Sequence, residues 1–309
     1  MTDADGGAQV VLVVGASSGI GRATAHGYAA RGAHLVLASR GREALAEAAQ
    51  ECLDRGAASA TVEVVDVADG PAVTAVVERV LAEHGRIDVC VQSAALIAFG
   101  EFLDVPAEVF DRVVTSNVLG TANVARAVLP GMRDRNSGVL VVIGSVLGRI
   151  SVPQLITYCT SKWAVRGLTR MLSQSVRDRS GVRVVGVSPG ATNTPVYAQA
   201  ANVTGRAARP PIPVDPPEKV ARAVLRAADS RRRGETSVGI ANPVMVLGHE
   251  LLPPVFDLLV GPLMGLLALT RRPMEPHTGN VETPSPAGES TQGPWSRGGL
   301  LGLDTRDGD

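Results

Sequence analysis

The run Gln9-Val10-Val11-Leu12-Val13-Val14-Gly15-Ala16-Ser17-Ser18-Gly19-Ile20-Gly21 puts a short apolar segment directly before three glycines in G-x-x-x-G-x-G spacing. A helical pattern follows over residues 20–31. Strand, glycine turn and helix, in that order, is the context that raises such a cluster above chance. Glycines let the backbone come close to a pyrophosphate, which then sits at the helix N-terminus among unpaired N–H groups. The alternation continues outward from this stretch. Apolar runs at 34–39, 60–65, 87–93, 139–143, 182–187 and 235–240 read as strands. Helical patterns lie between them at 42–55, from about Pro71, at 106–133, 157–176 and 216–228. Strands alternating with helices predict an α/β fold with a doubly wound, parallel, seven-stranded sheet. The ligand site of such a sheet lies at the C-terminal ends of its strands.

Composition narrows the classes of function. The chain has 309 residues, 45% of them hydrophobic, enough for one large α/β domain. Aromatic residues are only 3%, which speaks against base stacking as a mode of action. Lys plus Arg and Asp plus Glu balance at 30 each, so no general attraction to nucleic acid or an anionic surface is expected. Cys52, Cys90 and Cys159 show neither metal spacing nor an obvious pairing, and the five histidines are scattered. A reduced, cytoplasmic protein without a metal site is the simplest reading. The polar, acidic first residues lack the basic end and apolar run of a signal peptide.

The chemistry points to Tyr158-Cys159-Thr160-Ser161-Lys162. Four residues apart on a helix, Tyr158 and Lys162 share one face. A nearby ammonium favours the phenolate, and a phenol whose pKa is otherwise about 10 becomes a usable general acid or base. Many solvated helices carry such a pair without function. Here Ser145 stands thirteen residues upstream, at the end of a buried strand, where ligands bind in open α/β sheets.

Residues 13–21, Asn117, Ser145, the YCTSK stretch and Ser188-Pro189-Gly190 occur in the order and spacing of the short-chain dehydrogenases/reductases, and the chain resembles that family over residues 9–240. The resemblance implies a Rossmann-type domain at 1–240 that moves a hydride between a nicotinamide dinucleotide and a carbonyl or alcohol substrate. It implies that Tyr158 is the general acid or base, that Lys162 lowers its pKa and binds the nicotinamide ribose, and that Ser145 hydrogen-bonds the substrate oxygen. Asn117 would sit at a helix distortion and hold a water linked to Lys162. Cofactor contacts carry over to Gly15, Ser17, Ser18, Gly19, Ile20 and Gly21 in the turn, and to Ser39, Arg40, Asp66, Val67, Ser93 and Ala94 at the next strand ends. Asn117, Tyr158, Lys162, Pro189, Gly190, Thr192 and Thr194 complete the set.

Three departures stand out. Val14 replaces the usual Thr before the first glycine. Gln92-Ser93-Ala94-Ala95 replaces Asn-Asn-Ala-Gly, and Gln92 should brace neighbouring strands less well than Asn. The second strand ends in Ser39-Arg40 instead of a carboxylate, leaving a guanidinium for a 2′-phosphate, so NADP(H) is expected over NAD(H). Asp66 could equally cap the following helix, a role open to Asp69 too.

Two other classes fit part of the pattern. A non-catalytic dinucleotide sensor would not need Asn117, Ser145, Tyr158 and Lys162 together. A nucleotide-sugar epimerase or dehydratase also uses Tyr and Lys four apart, but with tighter glycine spacing and a larger C-terminal domain. Family members commonly form homodimers or homotetramers through the helices that here would be 106–133 and 157–176. Beyond residue 240, an apolar extension at 241–270 precedes a Gly-, Pro-, Ser- and Thr-rich stretch at 271–309 that is expected to be a disordered tail. Residues 251–270 are long enough for a bilayer at about 1.5 Å per residue, but three prolines and Asp257 oppose a straight span. A pair of short helices covering the substrate mouth or a dimer face is preferred there to a hairpin lying in the membrane interface.

Overall fold

The computed structural model describes residues 7–285 and 288–295. Its first half repeats strand and helix: β1 (Val10–Val14), α1 (Gly19–Ala29), β2 (His34–Ser39), α2 (Arg42–Asp54), β3 (Ser59–Val64), α3 (Gly70–His84) and β4 (Val89–Gln92). The short β5 (Ala98–Phe99) leads to α4 (Ala107–Val114) and α5 (Gly120–Asp134). Then come β6 (Gly138–Ile143), α6 (Ile156–Ser175), β7 (Val182–Pro189), α7 (Val196–Gln199), β8 (Ala201–Asn202), β9 (Arg206–Ala208), α8 (Pro217–Asp229) and β10 (Gly234–Val238). The C-terminal part holds α9 (Asn242–Leu251), α10 (Pro253–Leu267) and β11 (Leu269–Pro273).

Seven strands form one parallel sheet in the order β10-β7-β6-β4-β1-β2-β3. The chain winds outward from β1 to β3, then returns to β4 on the other side of β1. That reversal opens a crevice at the C-terminal ends of β1 and β4, where such sheets bind ligands. Both faces of β1 are covered. Val11 and Val13 pack with Tyr28, Leu45 and Val224, while Leu12 and Val14 pack with Val76, Val128 and Met132. A strand buried on both faces needs apolar side chains at every position, hence the unbroken run in the sequence.

Local chemistry sets the element ends. Asp69 caps α3 by accepting from the Ala72 N–H at 3.0 Å, and left-handed Gly85 ends it. The cap is therefore Asp69, which leaves Asp66 to other work. The helix expected over 106–133 carries a π-turn at Thr115–Leu119, between α4 and α5, with Asn117 at its centre.

Residues 251–270 hold one helix, α10, with Pro262 inside it, and not the expected pair; its helical neighbour α9 lies before it, ending at Leu251. The α9–α10 pair closes over a cavity beyond the sheet. No residue of α10 is buried, and Leu251, Leu258, Leu259, Leu263 and Leu266 are exposed. Among the described residues no helix is long and apolar enough to cross a membrane.

The stretch from Arg271, expected to be disordered, behaves differently where it is described. β11 pairs antiparallel with β9, His277 and Asn202 exchange main-chain bonds at 2.8 and 3.0 Å, and Val281 is fully buried. Main-chain pairing and one apolar anchor order it despite its polar composition. Residues 286–287 and 296–309, which the same expectation covered, lie outside the described residues.

Candidate active site

The glycine turn is built by close approach. Gly15 sits at φ +85°, and its N–H donates to the Ala38 carbonyl at 2.7 Å. A Cβ there would lie 2.5 Å from the Ala94 nitrogen. At Gly21 a Cβ would fall 2.0 Å from the Gly15 carbonyl oxygen. Side chains at either position would destroy the turn. The two bonds from Gly15 and Ala16 to Ala38 brace it, with Val14 in the place of the usual hydroxyl.

A cleft runs from this turn along the strand ends. Gly15, Ser17, Ser18, Gly19 and Ile20 line one part; Ser39, Arg40, Asp66 and Val67 a second; Ser93, Ala94, Tyr158, Lys162, Pro189 and Thr194 the rest. These expected cofactor residues are thus brought together. Four others stand aside from it. Gly21 packs behind the turn, Asn117 is buried beneath the cleft, and Gly190 and Thr192 line the adjoining cavity. The cradle fits an elongated anion-bearing ligand: the glycines clear a path for backbone N–H groups, and the Ser39 hydroxyl at the end of β2 is buried without a partner.

Side-chain partners refine several expectations. Arg40 donates to the main-chain carbonyls of Asn280, Val281 and Glu282. Asp66 accepts from the Ala68 N–H at 2.9 Å and pairs with Arg112. Burial opposes ionisation of its carboxyl, but these two donors hold it below the usual range. Gln92 reaches Ala94 and Thr121 only at 3.5 and 3.4 Å and leaves its buried carbonyl oxygen unpaired, so it does brace poorly.

The groups expected to handle the proton meet at the start of α6. Tyr158 keeps part of its surface open and is a wall both of the cleft and of a separate apolar cavity of about 520 Å³. That cavity is lined by Ile97, Phe99, Leu155, Tyr197 and the inner faces of α9 and α10, with Ser145 beside Tyr158. Ser145 also accepts from the Leu147 N–H at 3.1 Å, which orients its hydroxyl. Burial, with Tyr197 nearby, pushes the Tyr158 phenol above its ordinary pKa, and a hydrogen bond with Ser145 pulls the other way.

Lys162 departs from expectation. It is buried, its Nζ donates to the Ile143 carbonyl at 2.9 Å, and it stands 5.5 Å from the centre of the Tyr158 ring. Burial brings its pKa down to about 8. Burial dominates the phenol, while the Lys162 amine is turned to a backbone carbonyl. Asn117 likewise spends its amide on protein. It donates to the Leu96 carbonyl and the Ser161 hydroxyl, both at 2.9 Å, and accepts from the Leu96 N–H at 2.7 Å. Ser161 in turn donates to the Tyr158 carbonyl at 2.8 Å. Asn117 thus ties Leu96, in the cleft wall, to Ser161 on α6. Cys159 is a buried filler, its thiol pushed up to about 11 by burial.

Sequence reasoning missed the C-terminal contributors. Asn280, Pro284 and Glu289 line the cleft. They carry no recognisable motif, and their contacts run largely through main-chain carbonyls.

A seven-stranded doubly wound sheet with this glycine turn at its switch point is the arrangement of dinucleotide-binding folds. The family described as short chain dehydrogenase matches residues 9–203. The chain belongs to that family. The probable oxidoreductase EphD of Mycobacterium tuberculosis is 39% identical over 196 residues, 62% of this chain but only 32% of EphD, so the match spans about a third of that relative's length. An uncharacterized oxidoreductase of Bacillus subtilis, YxnA, is 31% identical over 271 residues, covering 87% of this chain and 76% of YxnA. Among solved structures, a short-chain dehydrogenase from Streptomyces avermitilis aligns with TM-score 0.70 at 30% identity, over 84% of this chain and 96% of its own. One from Mycobacterium paratuberculosis, described as bound to NAD, aligns with TM-score 0.66 at 28% identity, over 74% and 96%.

Proposed function

We propose that this oxidoreductase transfers a hydride between NADP(H) and an apolar ketone or secondary alcohol, with Tyr158 as general acid and base. The observation that carries this reading is the position of Tyr158 on the seam between the glycine-turn cleft and the apolar cavity, hydrogen-bonded to Ser145. A nicotinamide bound in the cleft would supply or accept the hydride. Tyr158 gives its proton to the carbonyl oxygen in reduction and recovers it from the alcohol in oxidation. Ser145 donates a hydrogen bond to that oxygen as charge develops. Lys162, protonated at neutral pH, places a positive charge beneath the phenol and would hold the nicotinamide ribose. Asn117 acts as a positioning residue through Ser161.

The cavity favours an apolar substrate, since its walls are aliphatic and aromatic apart from the few polar groups around Tyr158. The NADP(H) preference is supported by Ser39-Arg40, since β2 itself ends in a hydroxyl, followed by a guanidinium, instead of a carboxylate. Self-association is supported by exposed Leu119, Trp163 and Met171 on the π-turn and α6. All three cysteines are free, in keeping with a reducing, cytoplasmic setting.

The test is a panel of apolar carbonyls followed by NADPH absorbance, with Tyr158→Phe beside the parent chain. Turnover should fall by about 10²-fold or more, the worth of general acid–base catalysis, while cofactor still binds. A variant that keeps most of its activity refutes the assignment.

A further inference from the structure

We infer that the C-terminal segment is a tethered competitor of the cofactor: its main-chain carbonyls occupy the donors that a dinucleotide's phosphates would use. The inference rests on the cofactor reading above. The Gly19 N–H, at the N-terminus of α1, donates to the Ser290 carbonyl at 2.9 Å. Arg22, one turn along the same helix, donates to the Glu289 carbonyl at 2.9 Å. Arg40 donates to the carbonyls of Asn280, Val281 and Glu282. The glycine turn and the end of β2 are thus capped by one stretch of chain.

The segment is anchored on both sides of the cleft. On one side Val281 is fully buried, and the Asn280 N–H donates to the Gln199 carbonyl at 2.8 Å. On the other, Gly293 and Trp295 donate main-chain bonds to Asn193 at 3.2 and 3.3 Å. Between the anchors, Pro284 and Glu289 line the cleft, and the Glu289 carboxylate lies against Gly41.

One N–H cannot serve a carbonyl and a phosphate oxygen together at full strength. The strap's acceptors are neutral, whereas a phosphate is charged, and charge-assisted bonds are roughly twice as strong. The strap's advantage is its tether, which holds it at an effective concentration of millimolar order. Glu282 and Glu289 bring carboxylates to the place a cofactor phosphate would enter, which favours exchange over shared occupancy. The apparent cofactor affinity is therefore lowered by the fraction of chains whose strap is closed.

Two variants test this without touching the turn. In the full chain, a Cβ at Gly293 would lie 2.7 Å from the Thr194 carbonyl oxygen, so Gly293→Val should lift the far anchor. A chain ending at Pro284 removes Glu289 and Ser290 but keeps the Val281 anchor; its circular dichroism and melting temperature report whether it folds. NADPH titrated by its fluorescence should bind both variants about tenfold more tightly than the parent, the worth of one or two net hydrogen bonds. Hydrogen exchange over residues 288–295 should be slow in the parent and speed up on saturation with NADP+. Equal or weaker binding by Gly293→Val and by a folded truncated chain, with exchange unchanged by cofactor, overturns the proposal and makes the strap a fixed wall of the site. If no form of the chain binds any nicotinamide dinucleotide, the cofactor reading fails first.

Discussion

Lys162 carries its amine at the floor of the cleft with one hydrogen bond, to the Ile143 carbonyl, and burial lowers its pKa from 10.5 to about 8. The folded chain therefore releases this proton more readily than the unfolded chain. Below about pH 8 both states hold the proton and folding must bury a charge. Between about 8 and 10.5 only the unfolded state holds it, so this group's contribution to stability rises with pH across that window. Lys162→Met should stabilise the chain at pH 7 by an amount on the order of 3 kcal/mol, at about 1.4 kcal/mol per pKa unit. The gain should shrink by pH 10. Urea unfolding of parent and variant at both pH values checks this, and a gap independent of pH would mean that no buried ammonium is involved. Arg40 belongs to the same scale. Arg40→Ala should weaken NADPH about tenfold or more by removing a charge-assisted pair, and leave NADH unchanged or tighter. Fluorescence titration of both cofactors decides, and equal losses for the two would refute a 2′-phosphate role.

At the scale of the element, the π-turn between α4 and α5 rotates Asn117 inward, so that one side chain joins the Leu96 loop to α6. An Asn in a regular helix competes with its own backbone and has little intrinsic reason to be there. Here its buried bonds supply one. Asn117→Ala would leave the Leu96 N–H and carbonyl unpaired, at about 1–3 kcal/mol for each group that water cannot reach. We expect a loss of roughly 2–4 kcal/mol by urea unfolding, together with a fall in turnover as the first turn of α6 loosens. A stable but slow variant would make Asn117 a positioning residue alone, and a variant unchanged in both would remove its role.

For the whole molecule, the question is what covers the apolar outer surfaces. Leu119, Trp163 and Met171 are exposed, as are the leucines of α9 and α10. Exposed apolar area of this kind in a single chain marks an interaction surface. The expected outcome is sedimentation as a dimer or tetramer at micromolar concentration, with Trp163→Glu and Met171→Glu together shifting it toward monomer. The chain should also stay below the lipid layer in a liposome flotation gradient. A monomer that floats would place the leucines of α9 and α10 at a membrane surface instead.

Much of this architecture was legible in the amino-acid order. Continuous apolar runs alternating with helical patterns located all seven strands of the main sheet within two or three residues. The spacing of Tyr158, Lys162 and Ser145 marked the candidate site because helix geometry and strand ends are local properties. Tertiary structure decided what depends on partners distant in the chain. It turned the Lys162 amine to the Ile143 carbonyl and gave Asn117 to Leu96 and Ser161. It also folded residues 280–290, where described, across the glycine turn. That last contact was invisible in the sequence because it is made largely by backbone carbonyls. Every residue carries one, so only the fold determines which of them meets Gly19, Arg22 or Arg40.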